Sequence, residues 1–309
     1  MHADAGPEQR RVWRPDWPCP VATILSVSRR GSGDPTYRVG PDGSILRGIR
    51  TPEGAVTLRV TSTSGEVHAS AWGPGAGWAL DRLPAMLGAN DDPTGFEPRH
   101  PVLAEAHRRH PHWRVGRTGL VLEALVPAII EQRVTGQEAF GGFRRLVLRF
   151  GERAPGPGAE HGVWVQPSPD QLRMVPSWEW LRMHIDPARS RAVVRAAQVA
   201  PALERTAGLR GAEADRRLRS VPGIGVWTAA EVRYRAHGDA DAVSFGDYHI
   251  AKDVGWALTG AEVDDAGLAE LLEPYRPHRY RVQRLVELAG LRRPRRGPRM
   301  APRTHLPRW

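Results

Sequence analysis

The most constraining feature of this sequence is a glycine-rich turn between two apolar helical patterns. The stretch from Leu218 to Val232 reads L-R-S-V-P-G-I-G-V-W-T-A-A-E-V, which predicts a helix, a hairpin and a second helix. Gly223 and Gly225 would leave backbone N–H groups uncovered at the start of the second helix. Such amides, at the positive end of a helix dipole, favour a bound phosphate. An ordinary turn between two helices is the competing interpretation.

A single acidic residue, Asp247, follows the turn in the segment F-G-D-Y-H-I at 245–250. We expect it as the N-cap or a first-turn residue of a helix that runs to Leu258. Helix capping is the commonest use of aspartate at such a position, so a plain cap is the competing interpretation. A phosphate site and a carboxylate at this spacing together favour chemistry on a nucleotide.

Composition narrows the class of protein further. The 309 residues carry a formal net charge of +10, which favours a polyanionic partner, although an arginine-rich composition from a GC-rich genome would give the same excess. Lys252 is the only lysine and Cys19 the only cysteine, so an intramolecular disulfide, a Cys₄ zinc site and an iron–sulfur cluster are excluded. We see neither a signal-peptide pattern nor an apolar run of membrane-spanning length, and expect a cytoplasmic, nucleoid-associated protein.

The chain divides into two regions with different secondary-structure patterns. Short β-branched runs separated by turn residues predict strands at 21–27, 45–50, 55–61 and 66–72, and a helix follows over 78–87. From Arg99 onward helical patterns follow one another, and no strand is expected after residue 100. The predicted fold class is α+β, with an N-terminal extension (1–19), a small antiparallel β-rich domain (20–95), an all-α domain (96–290) and a basic, disordered tail (291–309) that could touch DNA non-specifically.

Four segments together resemble the helix-hairpin-helix DNA glycosylases, and within them the 3-methyladenine DNA glycosylase II branch. The segments are A-I-I-E-Q-R-V-T (128–135), V-P-G-I-G-V-W-T-A (221–229), F-G-D-Y-H-I-A-K (245–252) and P-Y-R-P-H-R-Y (274–280). Their order and spacing agree with that branch, and the likeness covers residues 20–290. The resemblance implies a TATA-binding-protein-like fold for the β-rich domain and damaged double-stranded DNA as the partner of a monomeric enzyme.

The resemblance also implies roles for individual residues. Asp247 takes the role of the catalytic carboxylate. The hairpin residues Gly223, Ile224, Gly225 and Thr228 would bind a DNA phosphate, with a Na⁺ or K⁺ ion on the backbone of 221–225 and no required cofactor. Trp227, Tyr275 and Gln132 would line the base pocket, and Arg133 stands where the branch usually has an apolar wedge. Trp227 and Tyr275 could instead be core residues, and Arg133 could merely pair with a phosphate or with Glu131. Arg279 is expected to tie helices together rather than to touch substrate.

The residue at position 227 separates two kinds of glycosylase chemistry. Bifunctional members carry a lysine there that attacks C1′, whereas this chain has Trp227. Lys252, five residues after Asp247, points to another face of its helix, so hydrolysis without lyase activity is expected. Methylated purines are the expected bases, since their positive charge weakens the glycosidic bond. A deaminated purine as the substrate, or a DNA-binding protein without catalysis, remains open.

Overall fold

The computed structural model describes residues 6–294, and within them one five-stranded antiparallel sheet and a set of helices. Its strands are β1 (Gln9–Trp13), β2 (Tyr37–Val39), β3 (Ile45–Thr51), β4 (Gly54–Thr63) and β5 (Glu66–Trp72), in the order β1-β5-β4-β3-β2. Along β5 the buried side chains of Val67, Ala69 and Ala71 alternate with more exposed ones. The last three predicted strands are therefore confirmed. Most of the predicted tail, from residue 295 onward, lies outside the described residues.

The beginning of the sheet differs from the prediction in two ways. Residues Val21–Leu25 form a short helix rather than a strand, because the buried side chains Val21, Ile24 and Leu25 have helical spacing. Gln9–Trp13, placed by sequence in an N-terminal extension, is instead an edge strand paired with β5. Its side chains are mostly exposed and give no alternating apolar pattern, and besides the backbone pairing Trp13, which packs on a buried apolar cluster, and Arg11, which donates to the Leu80 carbonyl, support it. The domain boundary near residue 95 stays a prediction.

Helices make up most of the rest of the described chain. They are α1 (Val21–Leu25), α2 (Ala76–Met86), α3 (Pro101–Arg109), α4 (Val121–Ile130), α5 (Gly136–Phe150), α6 (Pro157–Glu160), α7 (Pro169–Met174), α8 (Ser177–Arg182), α9 (Pro187–Gln198), α10 (Ala200–Arg205), α11 (Gly211–Arg219), α12 (Val226–Val232), α13 (Ile250–Thr259), α14 (Asp265–Leu272) and α15 (Arg279–Leu288). A π-helical turn, Arg233–His237, continues α12. Ser168 caps α7, and its side chain accepts a hydrogen bond from the Gln171 N–H. Among residues 6–294, no helix combines the length and apolarity that crossing a membrane requires.

The expectation of no strand after residue 100 is wrong in one place. Strands β6 (Glu152–Arg153) and β7 (Trp164–Val165) form a two-stranded antiparallel ladder. A strand of two residues is too short to show alternation of apolar and polar side chains, so the sequence pattern does not predict β6 or β7. The ladder packs against the sheet where Gly48 permits close approach, since a Cβ there would lie 2.1 Å from the Trp164 carbonyl oxygen.

One buried apolar cluster contains side chains from both the sheet and some of the helices. Tyr234, in the π-helical turn, and Tyr280, on α15, stack with their ring centroids 4.1 Å apart. Both belong to the cluster that contains the inner face of the sheet. Both α12 and α15 also contact the segment that carries Asp247, through hydrogen bonds of Glu231 and Gln283 with Ser244.

A buried ion pair joins α15 to the segment after α2. The Asp91 and Arg281 side chains are each 2% exposed, and both Asp91 oxygens accept hydrogen bonds from Arg281 Nη2, at 2.7 and 2.8 Å. Asp91 also accepts from the Val115 N–H at 2.9 Å. Removing one partner of such a pair leaves an uncompensated buried charge.

We therefore predict that Asp91→Ala lowers the free energy of unfolding by about 3–5 kcal/mol. The matched control is Arg109→Ala, which removes an exposed pair with Glu105 and should cost less than about 1 kcal/mol. Urea unfolding followed by circular dichroism measures both. Equal losses in the two variants would contradict a structural role for the buried pair.

Candidate active site

The predicted hairpin lies between α11 and α12 and exposes its two glycines. Gly223 has φ +99°, a conformation that L side chains rarely adopt, and a Cβ there would lie 2.8 Å from the Ala192 Cβ on α9. Gly225 is extended, with φ −93° and ψ −177°, and faces open space. The turn therefore needs glycine at 223 for its backbone, whereas glycine at 225 keeps the approach to the backbone clear.

The amides of the hairpin are not equivalent. The Ile224 N–H donates to the Val221 carbonyl at 3.1 Å, and the Ile224 side chain is 5% exposed in the core. The first helical hydrogen bond of α12 runs from the Ala229 N–H to the Gly225 carbonyl at 2.9 Å. The N–H groups of the first turn, before Ala229, thus have no helical partner and lie at the positive end of the helix. A phosphate would use these amides rather than that of Ile224.

Gln132 and Thr228, predicted as a base-pocket residue and a phosphate ligand, instead contact each other. Gln132 Nε2 donates to Thr228 Oγ1 at 2.8 Å and to the Gly223 carbonyl at 2.9 Å. Thr228 is 2% exposed. The Thr228 hydroxyl is therefore not available to DNA, and the Gln132 side chain fastens the end of α4 to the hairpin.

The carboxylate of Asp247 accepts three hydrogen bonds. Its Oδ1 accepts from the backbone N–H groups of His249, at 2.7 Å, and Ile250, at 3.1 Å, while its Oδ2 accepts from Trp227 Nε1 at 3.1 Å. Helix α13 begins at Ile250 with His249 as its N-cap, so Asp247 lies two residues before the N-cap and not at the N-cap or in the first turn, the two positions expected. The capping hydrogen bonds are nevertheless present. Capping fixes the carboxylate, so it is compatible with a catalytic role.

Trp227 brings the hairpin and Asp247 together. Its indole N–H is the only side-chain donor to the carboxylate among the described residues, and the ring is half-buried. Gly246 lies against it, since a Cβ at this glycine would be 3.9 Å from the Trp227 Cβ. Two of the residues predicted from the sequence, Trp227 and Asp247, thus form one site.

Tyr275 does not join this site. It is 3% exposed, and its hydroxyl lies 2.5 Å from His100 Nδ1. Phe96 and His100 flank its ring, with centroids 6.2 and 6.0 Å away. A base could stack on Tyr275 only by displacing these neighbours, so its base-pocket role stays a prediction that requires Phe96 and His100 to move. The sequence indicated an aromatic residue after α14 but not which side chains cover it.

Tyr248 is an exposed aromatic residue that sequence reasoning missed. It follows Asp247 directly, is 71% exposed, and has Lys252 Nζ 4.5 Å from its ring centroid. The signal available in the sequence was its position beside the predicted catalytic acid. Its ring is accessible to a ligand, in contrast to that of Tyr275.

Arg133 lies in the turn after α4 and is exposed on a left-handed backbone, with φ +55°. Within residues 6–294 its guanidinium forms no hydrogen bond or ion pair. The alternative pairing with Glu131 is not observed, because Glu131 accepts from Arg30 Nη1 at 2.9 Å. The Arg133 side chain is therefore free to contact a bound ligand.

Arg279 bonds within the protein, as expected. Its Nε and Nη2 donate to the two oxygens of Asp241 at 2.8 and 2.6 Å. This pair ties the start of α15 to the segment between the π-helical turn and Asp247.

Comparison with known proteins supports the resemblance at the level of the fold. No protein-family profile and no curated protein sequence matches the chain. Among solved structures, the 3-methyladenine DNA glycosylase from Archaeoglobus fulgidus superposes with a TM-score of 0.74, at 17% identity, over 91% of this chain and 98% of that one. MBOgg1 in complex with a low-affinity DNA ligand gives 0.71 at 15% identity, covering 94% and 98%. The 8-oxoguanine glycosylase/lyase of Clostridium acetobutylicum gives 0.69 at 13%, covering 93% and 100%.

The α+β fold predicted from the sequence is thereby confirmed. The superpositions cover the sheet as well as the helices of the chain, since more than nine-tenths of it is matched in each case. At these identities the likeness extends to the fold alone. The chemistry has to be argued from the side chains of this chain.

The geometry of the hairpin predicts unequal costs for its two glycines. Gly223→Ala should lower the free energy of unfolding by about 1–3 kcal/mol, because the backbone is left-handed and the new methyl group meets Ala192. Gly225→Ala should cost about 0.5 kcal/mol or less. Thermal or urea unfolding of both variants tests this, and a larger loss in Gly225→Ala than in Gly223→Ala would contradict the described turn.

Proposed function

We propose that this protein is a DNA glycosylase that removes alkylated purines, of the 3-methyladenine or 7-methylguanine type, by hydrolysis of the N-glycosidic bond. The observation that carries the proposal is the Asp247 carboxylate, held beside the hairpin by Trp227 Nε1 and two backbone amides. The site then combines a seat for DNA phosphate with a fixed negative charge. A plain helix cap would need no tryptophan donor from the hairpin.

The chemistry follows from the charge of the leaving base. A purine methylated at N3 or N7 is cationic and leaves readily, so the enzyme has to stabilise the positive charge that develops at C1′. A carboxylate has about four acceptor positions, and three are used in Asp247. The remaining position can face the sugar or orient the attacking water. Because three donors hold its other lone pairs, the carboxylate keeps its orientation, and its hydrogen bonds do not have to rearrange during the reaction.

Reaching C1′ requires the damaged nucleotide to leave the base stack. Arg133, exposed and unpaired in the described chain, is placed in this proposal in the gap that the nucleotide leaves. Trp227 and Tyr248 supply aromatic faces beside Asp247, and such faces attract a cationic base. The first-turn amides of α12 bind the phosphate, and the net charge of +10 supports association with DNA.

The partner in this proposal is double-stranded DNA with damaged bases, bound by a monomer at the nucleoid. A Na⁺ or K⁺ ion between the hairpin and the phosphate is part of the proposal. The carbonyl oxygens of Val221 and Gly223 each accept one hydrogen bond within the protein and keep a second lone pair for such an ion. No other cofactor is needed for hydrolysis of a cationic base.

An excision panel tests the proposed function. Duplexes with 3-methyladenine, 7-methylguanine, ethenoadenine or hypoxanthine are incubated with the wild type and with Asp247→Asn, and base release is measured. We predict release of the methylated purines, and a loss of about 100-fold or more in Asp247→Asn, because the amide keeps the cap but carries no charge.

The matched control for this panel is Asp264→Asn, which changes the carboxylate that caps α14 by accepting from the Gly267 N–H at 2.9 Å. It should release bases at the wild-type rate. Full activity of Asp247→Asn would refute the mechanism, whereas preferential release of hypoxanthine would assign the site to deaminated purines. Binding of DNA without any release would favour a non-catalytic protein.

Borohydride reduction tests for lyase chemistry. Trp227 occupies the position of the lysine nucleophile, and the only lysine, Lys252, lies over the Tyr248 ring. We predict no covalent protein–DNA adduct on reduction during turnover, since Lys252 carries the only amine among residues 6–294 and lies over the Tyr248 ring. A trapped adduct, lost in Lys252→Arg, would show that Lys252 acts as a nucleophile.

A further inference from the structure

The segment that carries Asp247 is fixed from behind by a buried serine. Ser244 is 1% exposed, and its carbonyl oxygen accepts from the Asp247 N–H at 3.2 Å. Its own N–H donates to Gln283 Oε1 on α15 at 3.2 Å. Each backbone polar group of Ser244 therefore has a partner, and one of these partners is the proposed catalytic residue itself.

The hydroxyl of Ser244 extends the contact to a buried acid. Ser244 Oγ donates to Glu231 Oε1 at 2.7 Å, and Glu231 is 6% exposed on α12. The other oxygen, Oε2, accepts from Tyr234 at 2.7 Å and from Arg235 at 2.6 Å. Burial raises the pKa of Glu231, but Arg235 and the hydrogen bonds outweigh it, and the pKa is lowered overall. Both oxygens of Glu231 thus accept hydrogen bonds, one on Oε1 and two on Oε2.

The same helix provides the second anchor of the site. Trp227 and Glu231 lie four residues apart on α12, so both are on the same side of the helix. Trp227 bonds the Asp247 carboxylate directly, and Glu231 bonds the residue whose carbonyl holds the Asp247 backbone. Helix α12 therefore grips the segment from Ser244 to Asp247 at both ends.

We propose that Glu231, acting through the Ser244 hydroxyl, is a positioning residue for the Asp247 carboxylate. The proposal deepens the function given above and rests on it for its effect on catalysis. Loss of the Glu231–Ser244 hydrogen bond frees the segment to move, and the carboxylate then leaves the Trp227 indole N–H. A displacement of this kind slows the reaction while leaving the phosphate site intact.

Two variants separate positioning from general stabilisation. Ser244→Ala removes the donor to Glu231 Oε1, and Tyr234→Phe removes a donor to Oε2, and both bonds are 2.7 Å long. Tyr234→Phe keeps the stacked ring on Tyr280, and the Tyr234 hydroxyl has no hydrogen bond to the segment from Ser244 to Asp247 among the described residues. Both variants therefore lose one bond to the same buried carboxylate. Only Ser244→Ala loses contacts of the catalytic segment, which include the longer hydrogen bond from Gln283 Nε2 to Ser244 Oγ at 3.4 Å.

The first measurement does not depend on activity. Hydrogen exchange of the Trp227 indole N–H, assigned with Trp227→Phe in ¹⁵N spectra of the full chain, reports its bond to Asp247. We expect exchange about tenfold faster in Ser244→Ala and unchanged exchange in Tyr234→Phe. Wild-type protection in Ser244→Ala, or an equal loss in both variants, would overturn the proposal.

The second measurement is excision of a methylated purine with enzyme in excess. Ser244→Ala should slow this single turnover by about 10- to 100-fold, while the Kd for DNA with an uncleavable abasic analogue stays within about twofold of the wild type. Tyr234→Phe should match the wild type in both. If the indole responds as expected but the wild type excises nothing, the positioning stands and the glycosylase assignment fails. A wild-type turnover rate in Ser244→Ala overturns the proposal.

Discussion

The site depends on one constraint: the Asp247 carboxylate can accept its three hydrogen bonds only if the N-termini of α12 and α13 lie close together in space. Trp227 comes from the first turn of α12, and the His249 and Ile250 amides come from the start of α13. Two helix N-termini therefore converge on one carboxylate. The hairpin, with its left-handed Gly223, sets the direction of α12 and hence the position of the indole.

Several arginine side chains of this protein form buried ion pairs that stabilise the fold and are not exposed at the surface. Arg47 and Arg30, from the N-terminal region, pair with Glu123 and Glu131 of the α4 region at 2.6 and 2.9 Å, and both arginines are about 5% exposed or less. Guanidinium groups suit such buried pairs because they are planar and weakly hydrated. The Arg47 pair joins the start of α4 to β3, and the Arg30 pair joins its end to the segment before β2. The exposed Arg133, two residues after Glu131, is thus carried on a rigid support.

The sequence predicted the elements whose chemistry is local. The hairpin, the three long strands and the cap at Ser168 follow from glycine position, alternation and capping rules. Sequence alone does not show that Phe96 and His100 bury Tyr275, because these residues lie some 175 positions away. The hydrogen bond between Gln132 and Thr228 likewise cannot be read from spacing. The strand Gln9–Trp13 escapes prediction because its side chains show no alternation of apolar and polar residues.

We propose that the Asp247 carboxylate stabilises positive charge on the sugar, and the affinity for two DNA analogues tests this role directly. DNA duplexes that carry a cationic pyrrolidine or a neutral tetrahydrofuran ring in place of one nucleotide differ at the reacting position essentially by that charge. We predict that the wild type binds the cationic duplex about 100-fold more tightly or better, and that Asp247→Asn loses most of this preference. An equal preference in the wild type and Asp247→Asn would contradict it.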